Sequence, residues 1–268
     1  KWCGQIALRQ YAWQGTQLQG SEGLLAVLGR LQGLFLPLSH WETIVLPIRV
    51  ASYRKEYLDL LCASGDVIWI GRKDEGDKEG KVAFFLAESK PLYSAFLEEA
   101  AAKPSKHPEL LRRIEQGGAS FLTRLSRGEG KAPSELLPDL VDLAWEGRVS
   151  NDQFAPLRLQ IGTVKPKQWE RAGSGQGRWY ATSSLIGNEE DRTSSAVSPE
   201  VQGKPAEQEQ SPVLVWAHHL LNVYGLINKE LVAKTAPYSW DLFYPTLKRL
   251  EEWGALTRGS FVKGASTL

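Results

Sequence analysis

Histidines and glycine–lysine pairs are the residues of this sequence that come nearest to catalytic or metal-binding chemistry. A phosphate-binding loop needs G-x-x-x-x-G-K-[ST] after a strand, because its backbone amides surround the phosphates. The nearest matches, Gly80-Lys81 and Gly130-Lys131, lack the first glycine and the final hydroxyl residue. Neither pair therefore predicts a nucleotide site.

The histidines and cysteines do not form a metal-binding pattern. No zinc-protease or zinc-finger spacing occurs among His40, His107, His218 and His219. His218 and His219 are adjacent, and on a helix their side chains diverge by about 100°. Cys3 and Cys62 lie far apart in the sequence. The sequence therefore predicts no catalytic residue, no metal site and no cofactor in this region.

Basic side chains are more informative when they are read segment by segment. Near the start and the end of the chain they gather around a helical segment and the hairpin after it, where they can bind phosphates. The candidate DNA-binding residues are Arg49, Arg54, Lys55, Arg72, Lys73, Lys248, Arg249, Arg258 and Lys263. A solvated surface of mixed charge is the alternative, since acids such as Asp74 and Glu251 intervene.

The corresponding helix in the middle of the chain is acidic. It carries Glu135, Asp139, Asp142 and Glu146. That face would repel DNA, so the middle segment is better interpreted as a scaffold or a protein-contact module.

A repeated pattern shows which elements position these residues. When Gly65, Gly147 and Gly254 are aligned, leucine stands seven and four residues before each glycine, and an aliphatic residue stands two after it. The leucine spacing predicts a helix that buries one face, and the glycine predicts a left-handed helix stop before a strand. Each glycine therefore marks the end of a third helix and the start of a hairpin.

The order of three helices and a two-stranded hairpin, over roughly 55 residues, predicts a winged helix. The expected fold class is mainly helical α+β, with tandem winged-helix domains. We expect the first unit in residues 1–104, the second with a strand extension in 105–187, and the third in 211–268. Residues 188–210 have almost no large apolar side chains and are expected to form a flexible linker.

Local signals place several helix ends and strands. Ser39 and Glu42 have capping-box spacing before a helix expected to end near Pro47, and "RVSNDQFAPLRLQI" is expected to be strand-like. Expected N-caps are Ser134, Ser211 and Asn228, and expected stops are Gly33, Gly117-Gly118 and Gly128. The segments "DVIWIG" and "KVAFFLA" are expected to pair as a hairpin whose loop projects, and "ALTRGSFVKG" as another. Most tryptophans, including Trp253, are expected in the core.

Composition limits the class of protein. The chain has 268 residues, 42% hydrophobic and 24% charged, with a formal net charge of +1. No apolar run approaches the roughly 20 residues that span a bilayer. We therefore expect a soluble, cytoplasmic protein without a membrane partner. The start inside an apolar segment without methionine favours a region of a longer protein.

Several stretches, in their order along the chain, resemble the C-terminal region of bacterial Lhr, the large helicase-related proteins. They are GSEGLLAVLGRLQG, WETIVLPIRVASYRKEYLDLLCASGDVIW, GASFLTRL, LVDLAWEGRVSNDQFAPLR, GRWY, LLNVYGLINKELVAK and FYPTLKRLEEWGALTRGSFVKG. The resemblance implies tandem winged helices followed by a β-barrel, similar to alkylpurine DNA glycosylases and with uracil-DNA glycosylase activity attributed to them. It also implies a superfamily 2 motor in the same protein, which uses ATP and Mg to translocate on single-stranded DNA.

This sequence departs from the family in lacking the motor, and no catalytic carboxylate maps onto one of its residues. Three functions remain open. The first is a DNA-binding accessory array that contacts single-stranded DNA or repair intermediates. The second is part of a uracil-type glycosylase domain, and the third is a structural module that forms homo-oligomers.

Overall fold

The computed structural model describes residues 2–161, 177–186 and 211–259. The helices are α1 Trp2–Arg9, α2 Gly20–Arg30, α3 Leu38–His40, α4 Leu46–Arg49, α5 Lys55–Ala63, α6 Lys90–Ala102, α7 Pro108–Gly117, α8 Leu122–Glu129, α9 Pro133–Trp145, α10 Ala155–Ile161, α11 Pro212–Tyr224, α12 Lys229–Thr235 and α13 Trp240–Glu252. The strands are β1 Leu18–Gln19, β2 Leu36–Pro37, β3 Val50–Ala51, β4 Val67–Arg72, β5 Lys81–Leu86, β6 Ser120–Phe121, β7 Val149–Asn151 and β8 Arg178–Ala181. The expected linker, residues 188–210, lies outside the described ranges.

The first unit is a winged helix. Its helices are α2, the α3–α4 segment and α5, and its wing is the antiparallel pair β4–β5 with Val67 opposite Leu86. The short strand β2 adds to the other edge of β5, so the sheet order is β2-β5-β4. The predicted hairpin of "DVIWIG" and "KVAFFLA" is confirmed.

The second unit repeats this topology. Helices α7, α8 and α9 precede a sheet of order β6-β8-β7, in which each strand occupies the place of its counterpart in the first unit. The mainly helical α+β class with winged-helix units is therefore confirmed.

The third unit contains α11, α12 and α13. Asn228 caps α12 as predicted, since its side chain accepts a hydrogen bond from the Leu231 amide at 2.8 Å. Ser211 takes the N-cap position of α11. Residues 255–259 contain no strand, and the rest of the predicted hairpin lies outside the described residues.

The aligned glycines adopt the predicted left-handed conformation. The φ angles are +83° at Gly65, +73° at Gly147 and +73° at Gly254. Five of the six aligned leucines are at most 5% exposed and the sixth, Leu247, is half-buried. The repeat therefore encodes a common way of burying one helix face and reversing the chain.

The β4–β5 wing lies at the centre of the molecule and is buried on both faces. Trp69 and Phe84 belong to the core shared by the first two units, whereas Ile70 and Phe85 pack with α6 and the third unit. Successive strand residues point to opposite faces, and this double burial explains the continuous apolar sequence of both strands. Of this wing, only the loop of residues 72–79 reaches the surface, and this is the part that the sequence predicted to project.

Four local predictions are wrong for identifiable reasons. Ala155–Ile161 is a helix, and the predicted strand is confined to Val149–Asn151, since the Phe154 amide instead donates to Asp59 Oδ1 at 2.9 Å. Pro156 then fits the first helical turn but would interrupt a strand ladder.

The other three concern helix ends. Helical backbone continues from Leu38 through a π-helical turn to Arg49, so Ser39 does not cap the helix, which ends two residues beyond Pro47. Helix α8 ends at Gly130, φ +66°, and not at Gly128. Ala132 takes the N-cap of α9 in place of Ser134, because Glu135 accepts a hydrogen bond from the Ala132 amide at 3.1 Å.

Candidate nucleic-acid interface

The third helices α5, α9 and α13 are the first place to look for DNA contacts, because a winged helix normally presents this helix to the groove. Each is held by its buried leucines against the other helices of its unit. The outward faces and flanks of the three helices differ in charge and in what covers them.

On α5 the outward positions are Glu56, Leu60 and Ala63, all exposed. These three positions therefore carry an acid and no cation, and the exposed Lys55 at the start of the helix lies 3.5 Å from Glu42. The flank that bears Asp59 is covered by α10 of the second unit, where Arg158 Nη1 lies 2.6 Å from Asp59 Oδ2. This helix is consequently used in a contact between units.

The same arginine reaches a second carboxylate. Arg158 Nη2 lies 2.7 Å from Glu42 Oε1, and the Glu42 side chain is only 6% exposed. Burial by itself lowers the pKa of Arg158, but hydrogen bonds and the charges of Glu42 and Asp59 outweigh burial and raise it above its ordinary value. Arg158 therefore stays charged and ties α10 to the first unit.

Most of the predicted basic residues of the first unit are paired. Arg54 lies 3.3 Å from Glu56 and over the Tyr57 ring, and Lys55 Nζ lies 3.5 Å from Glu42. Arg49 donates to the Val45 carbonyl at 2.9 Å and to Gln10 at 3.1 Å. Burial lowers the pKa of Arg49 from its ordinary value.

The wing residues lie at the exposed tip. Arg72 lies 3.1 Å from Asp74 and stacks over Phe35 at 4.9 Å from the ring centre. Lys73 is exposed, and its backbone amide donates to the Trp145 carbonyl at 3.1 Å. The tip is thus docked on α9 of the second unit.

Helix α9 has little free surface. Its exposed and half-exposed side is the acidic one predicted from sequence, where Asp139 lies 2.7 Å from Lys131. At the C-terminal end of α9, Trp145 packs against Gly71 and Gly80 of the first wing. A Cβ added to either glycine would collide with residues 144–145. The middle unit therefore uses this helix to contact the first unit.

Helix α13 differs from the other two. Leu242 is 56% exposed and Trp253 is 74% exposed. Spacings of seven and eleven residues place Arg249 and Trp253 within about 20° of Leu242 around the helix. We call these three residues the α13 stripe. Arg249 is exposed, and no ion pair of this residue occurs within the described ranges.

The remaining predicted residues lie around this stripe or beyond the described chain. Lys248 Nζ is 3.9 Å from Glu252 on the neighbouring side of α13. Arg258 is exposed, and Lys263 lies outside the described residues. The eight predicted residues that the structure describes therefore do not form one site.

Trp253 was misplaced by the sequence reasoning, as was Trp13, which is 52% exposed. Trp253 was expected in the core and is instead the most exposed large apolar side chain among the described residues. A signal was present, because the residues just before the other two aligned glycines are Ser64 and Glu146, both polar. The repeat therefore marked this position as outward.

Other kinds of site find no support in the described ranges. Those ranges contain no group of three or more His, Cys, Asp or Glu side chains that could hold a metal ion. None of their helices combines the length and apolarity that a bilayer crossing requires.

Comparison with known proteins identifies the family. Two models described as "Large helicase-related protein, winged-helix domain" match residues 5–87 and 206–268. The chain is 33% identical over 264 residues, 94% of its length, to "Lhr helicase/ probable uracil glycosylase" of Mycolicibacterium smegmatis. It is 28% identical over 260 residues, 92% of its length, to "Lhr helicase/uracil glycosylase" of Escherichia coli.

The match spans only part of these relatives. The chain corresponds to 17% of the length of each of the two proteins. Both family models are winged helices; the first agrees with the helices and wing of the first unit, and the second with the three described helices of the third unit. This chain belongs to the Lhr family of large helicase-related proteins.

Proposed function

We propose that this region is a DNA-binding winged-helix array of an Lhr-type DNA-repair helicase. It assists a motor in the same protein that uses ATP and Mg to translocate on single-stranded DNA and to unwind it. Both relatives are named as helicases, which supports the proposal. A DNA substrate also favours a cytoplasmic protein.

The α13 stripe carries the proposal. Among the third helices, α5 presents an acid outward and α9 is docked on a wing, whereas α13 leaves an arginine and an indole in solvent. A surface arginine binds phosphate, and an exposed indole gives a base a face on which to stack. This combination favours single-stranded over duplex DNA, since duplex bases are already stacked.

Equilibrium binding tests the proposal directly. Fluorescence anisotropy with a labelled oligo-dT and a duplex of equal length, over a series of salt concentrations, should show tighter binding to the single strand. The logarithm of affinity should fall linearly with the logarithm of salt concentration. No binding at low salt would refute the proposal.

Two tryptophan variants locate the contact. Trp253→Ala should weaken single-strand binding about tenfold, since stacking of one base contributes about 1 to 3 kcal/mol. Trp13→Ala is the matched control, because Trp13 is also exposed, at 52%, but lies far from α13 in the chain. Equal affinities of the two variants would remove α13 as the contact.

A role in uracil excision is the second candidate, because the names of both relatives include uracil glycosylase. In that case the winged helices form part of a glycosylase domain that needs further residues. Uracil-containing DNA, incubated with the chain or with the longer protein and then cleaved by alkali, tests this role. If neither the chain nor the longer protein produces strand breaks, the glycosylase role is contradicted.

A further inference from the structure

The second unit has an exposed basic and aromatic surface that lies away from its acidic third helix. Phe121, at the N-cap of α8, is 47% exposed, and Arg124 and Arg127 on the same helix are both exposed. We call these residues the α8 face. In the sequence, the acidic residues of α9 indicate that this unit would repel DNA. They lie on a different side of the unit from the α8 face.

Helix geometry places the two arginines on the side opposite the core. Leu122, Leu125 and Ser126 are the buried residues of α8. With 100° per residue, Arg124 and Arg127 straddle the direction opposite these three, about 60° apart and about 4.5 Å apart along the axis. Phe121 borders the same face, about 60° from Arg124.

Neither arginine has a hydrogen-bond or ion-pair partner in the part of the chain that the structure describes. Neighbouring charges are engaged with one another: Glu129 lies 2.9 Å from Arg113. Arg178, opposite Phe121 in the β6–β8 pair, is held 2.6 Å from Asp152. The α8 face therefore keeps the positive charges of both Arg124 and Arg127.

We propose that the α8 face is a second contact for single-stranded nucleic acid. Arg124 and Arg127 bind successive phosphates, and Phe121 stacks on a base. Two unpaired guanidinium groups complement a polyanion, and a half-exposed phenyl ring beside them fits the strand better than the duplex. The inference deepens the proposed function and rests on it, but it concerns a different unit and different residues.

A salt titration of the whole chain measures the charge contribution. For single strands, log affinity changes by about 0.7 per phosphate contact for each decade of salt, so losing two contacts lowers the slope by about 1.4. Between 50 and 200 mM salt the affinity of Arg124→Ala/Arg127→Ala should therefore change about sevenfold less than that of the parent. Arg124→Lys/Arg127→Lys should keep the parent slope.

Phe121 is tested separately. Phe121→Ala should weaken binding of oligo-dT about fivefold to tenfold and leave duplex binding nearly unchanged, because only unpaired bases offer a free face.

Arg112→Ala is the control for the arginine variants, since Arg112 is an exposed arginine of the same unit that pairs with Glu109. Thermal melting confirms that the exposed substitutions leave the fold intact.

The outcomes separate this inference from the proposed function. A parent chain that binds no DNA would overturn both. Loss of binding on Trp253→Ala with a parent-like slope for Arg124→Ala/Arg127→Ala would overturn the α8 contact alone. A change of oligomeric state in the arginine variant, with unchanged DNA affinity, would show that copies of the chain cover this face and would also overturn the contact.

Discussion

The docking of the first wing on α9 can be tested by one added methyl group. Gly80 precedes β5, and a Cβ placed there would lie 2.5 Å from Cε2 and Cε3 of Trp145. Its backbone is not in the left-handed region, so Gly80→Ala adds a collision without adding backbone strain. The substitution therefore tests the packing between the two units.

The expected cost follows from the overlap. Carbon atoms in contact prefer about 3.5 to 4.0 Å, so the methyl group would enter the ring by about 1 Å. Overpacking of this kind costs about 1 to 3 kcal/mol. If the wing moves away, the hydrogen bond from the Lys73 amide to the Trp145 carbonyl is also weakened, for about 1 kcal/mol more.

Thermal unfolding of the purified variant measures the effect. A loss of about 2 to 3 kcal/mol should lower the Tm by about 5 to 10 °C in a protein of this size. Gly117→Ala is the control, because a Cβ there meets no atom within 4 Å and Gly117 is not left-handed. That variant should melt at or slightly above the Tm of the parent.

A double-mutant cycle identifies the cause. Trp145→Ala destabilises the chain by removing a packed ring, but it also removes the obstacle. Adding Gly80→Ala to Trp145→Ala should then change the free energy of unfolding by less than about 0.5 kcal/mol. An unchanged Tm for Gly80→Ala alone, or an equal cost in both backgrounds, would show that the wing is not packed on Trp145.

Three other measurements follow from the structure. Arg158→Ala should lower the free energy of unfolding by about 2 to 3 kcal/mol, since it leaves the buried Glu42 carboxylate with only the exposed Lys55, 3.5 Å away, and adding Glu42→Gln should recover about 1 kcal/mol. If the losses of unfolding free energy caused by Arg158→Ala and Glu42→Gln in urea are additive, the ion pair between these residues is contradicted. Burial lowers the pKa of His219 from 6.5 to about 4. The unfolded state therefore binds more protons between these values, and stability should decrease by up to about 3 kcal/mol as pH falls through this window. His219→Gln should flatten that pH dependence, and a persistent slope would assign it to another group. Gly147→Ala should melt lower than Gly65→Ala, because both need a left-handed φ but only at Gly147 would the Cβ meet a neighbouring methyl carbon, at 3.2 Å; equal melting would contradict this difference.

The repeated units could be predicted from the sequence because their requirements are local. Leucines seven and four residues before a glycine lie on one face of a helix. The left-handed conformation of the glycine itself excludes most side chains. Gly65, Gly147 and Gly254 all adopt that turn. The same alignment also held the clue to Trp253, whose counterparts are polar.

Two of the wrong local predictions have a non-local cause. The strand expected around Phe154 is a helix, and its first amide is bound by Asp59, 95 residues earlier in the chain. Glu42, expected in a capping box, is instead paired with Arg158. Partners this distant cannot be recognised within a window of ten residues, so the local signals predicted the wrong secondary structure and the wrong cap.

The sequence by itself determined that this protein is built from winged helices, because burial of one helix face and a glycine stop are encoded within each unit. It also determined where the basic residues occur. Only the tertiary structure decided which of them remain in solvent, since the docking of α10 and α9 on the first unit engages some charges and leaves Arg124, Arg127 and Arg249 exposed. The physical reason is that a charge binds DNA only when no nearer acid neutralises it, and proximity between units is a property of the folded chain.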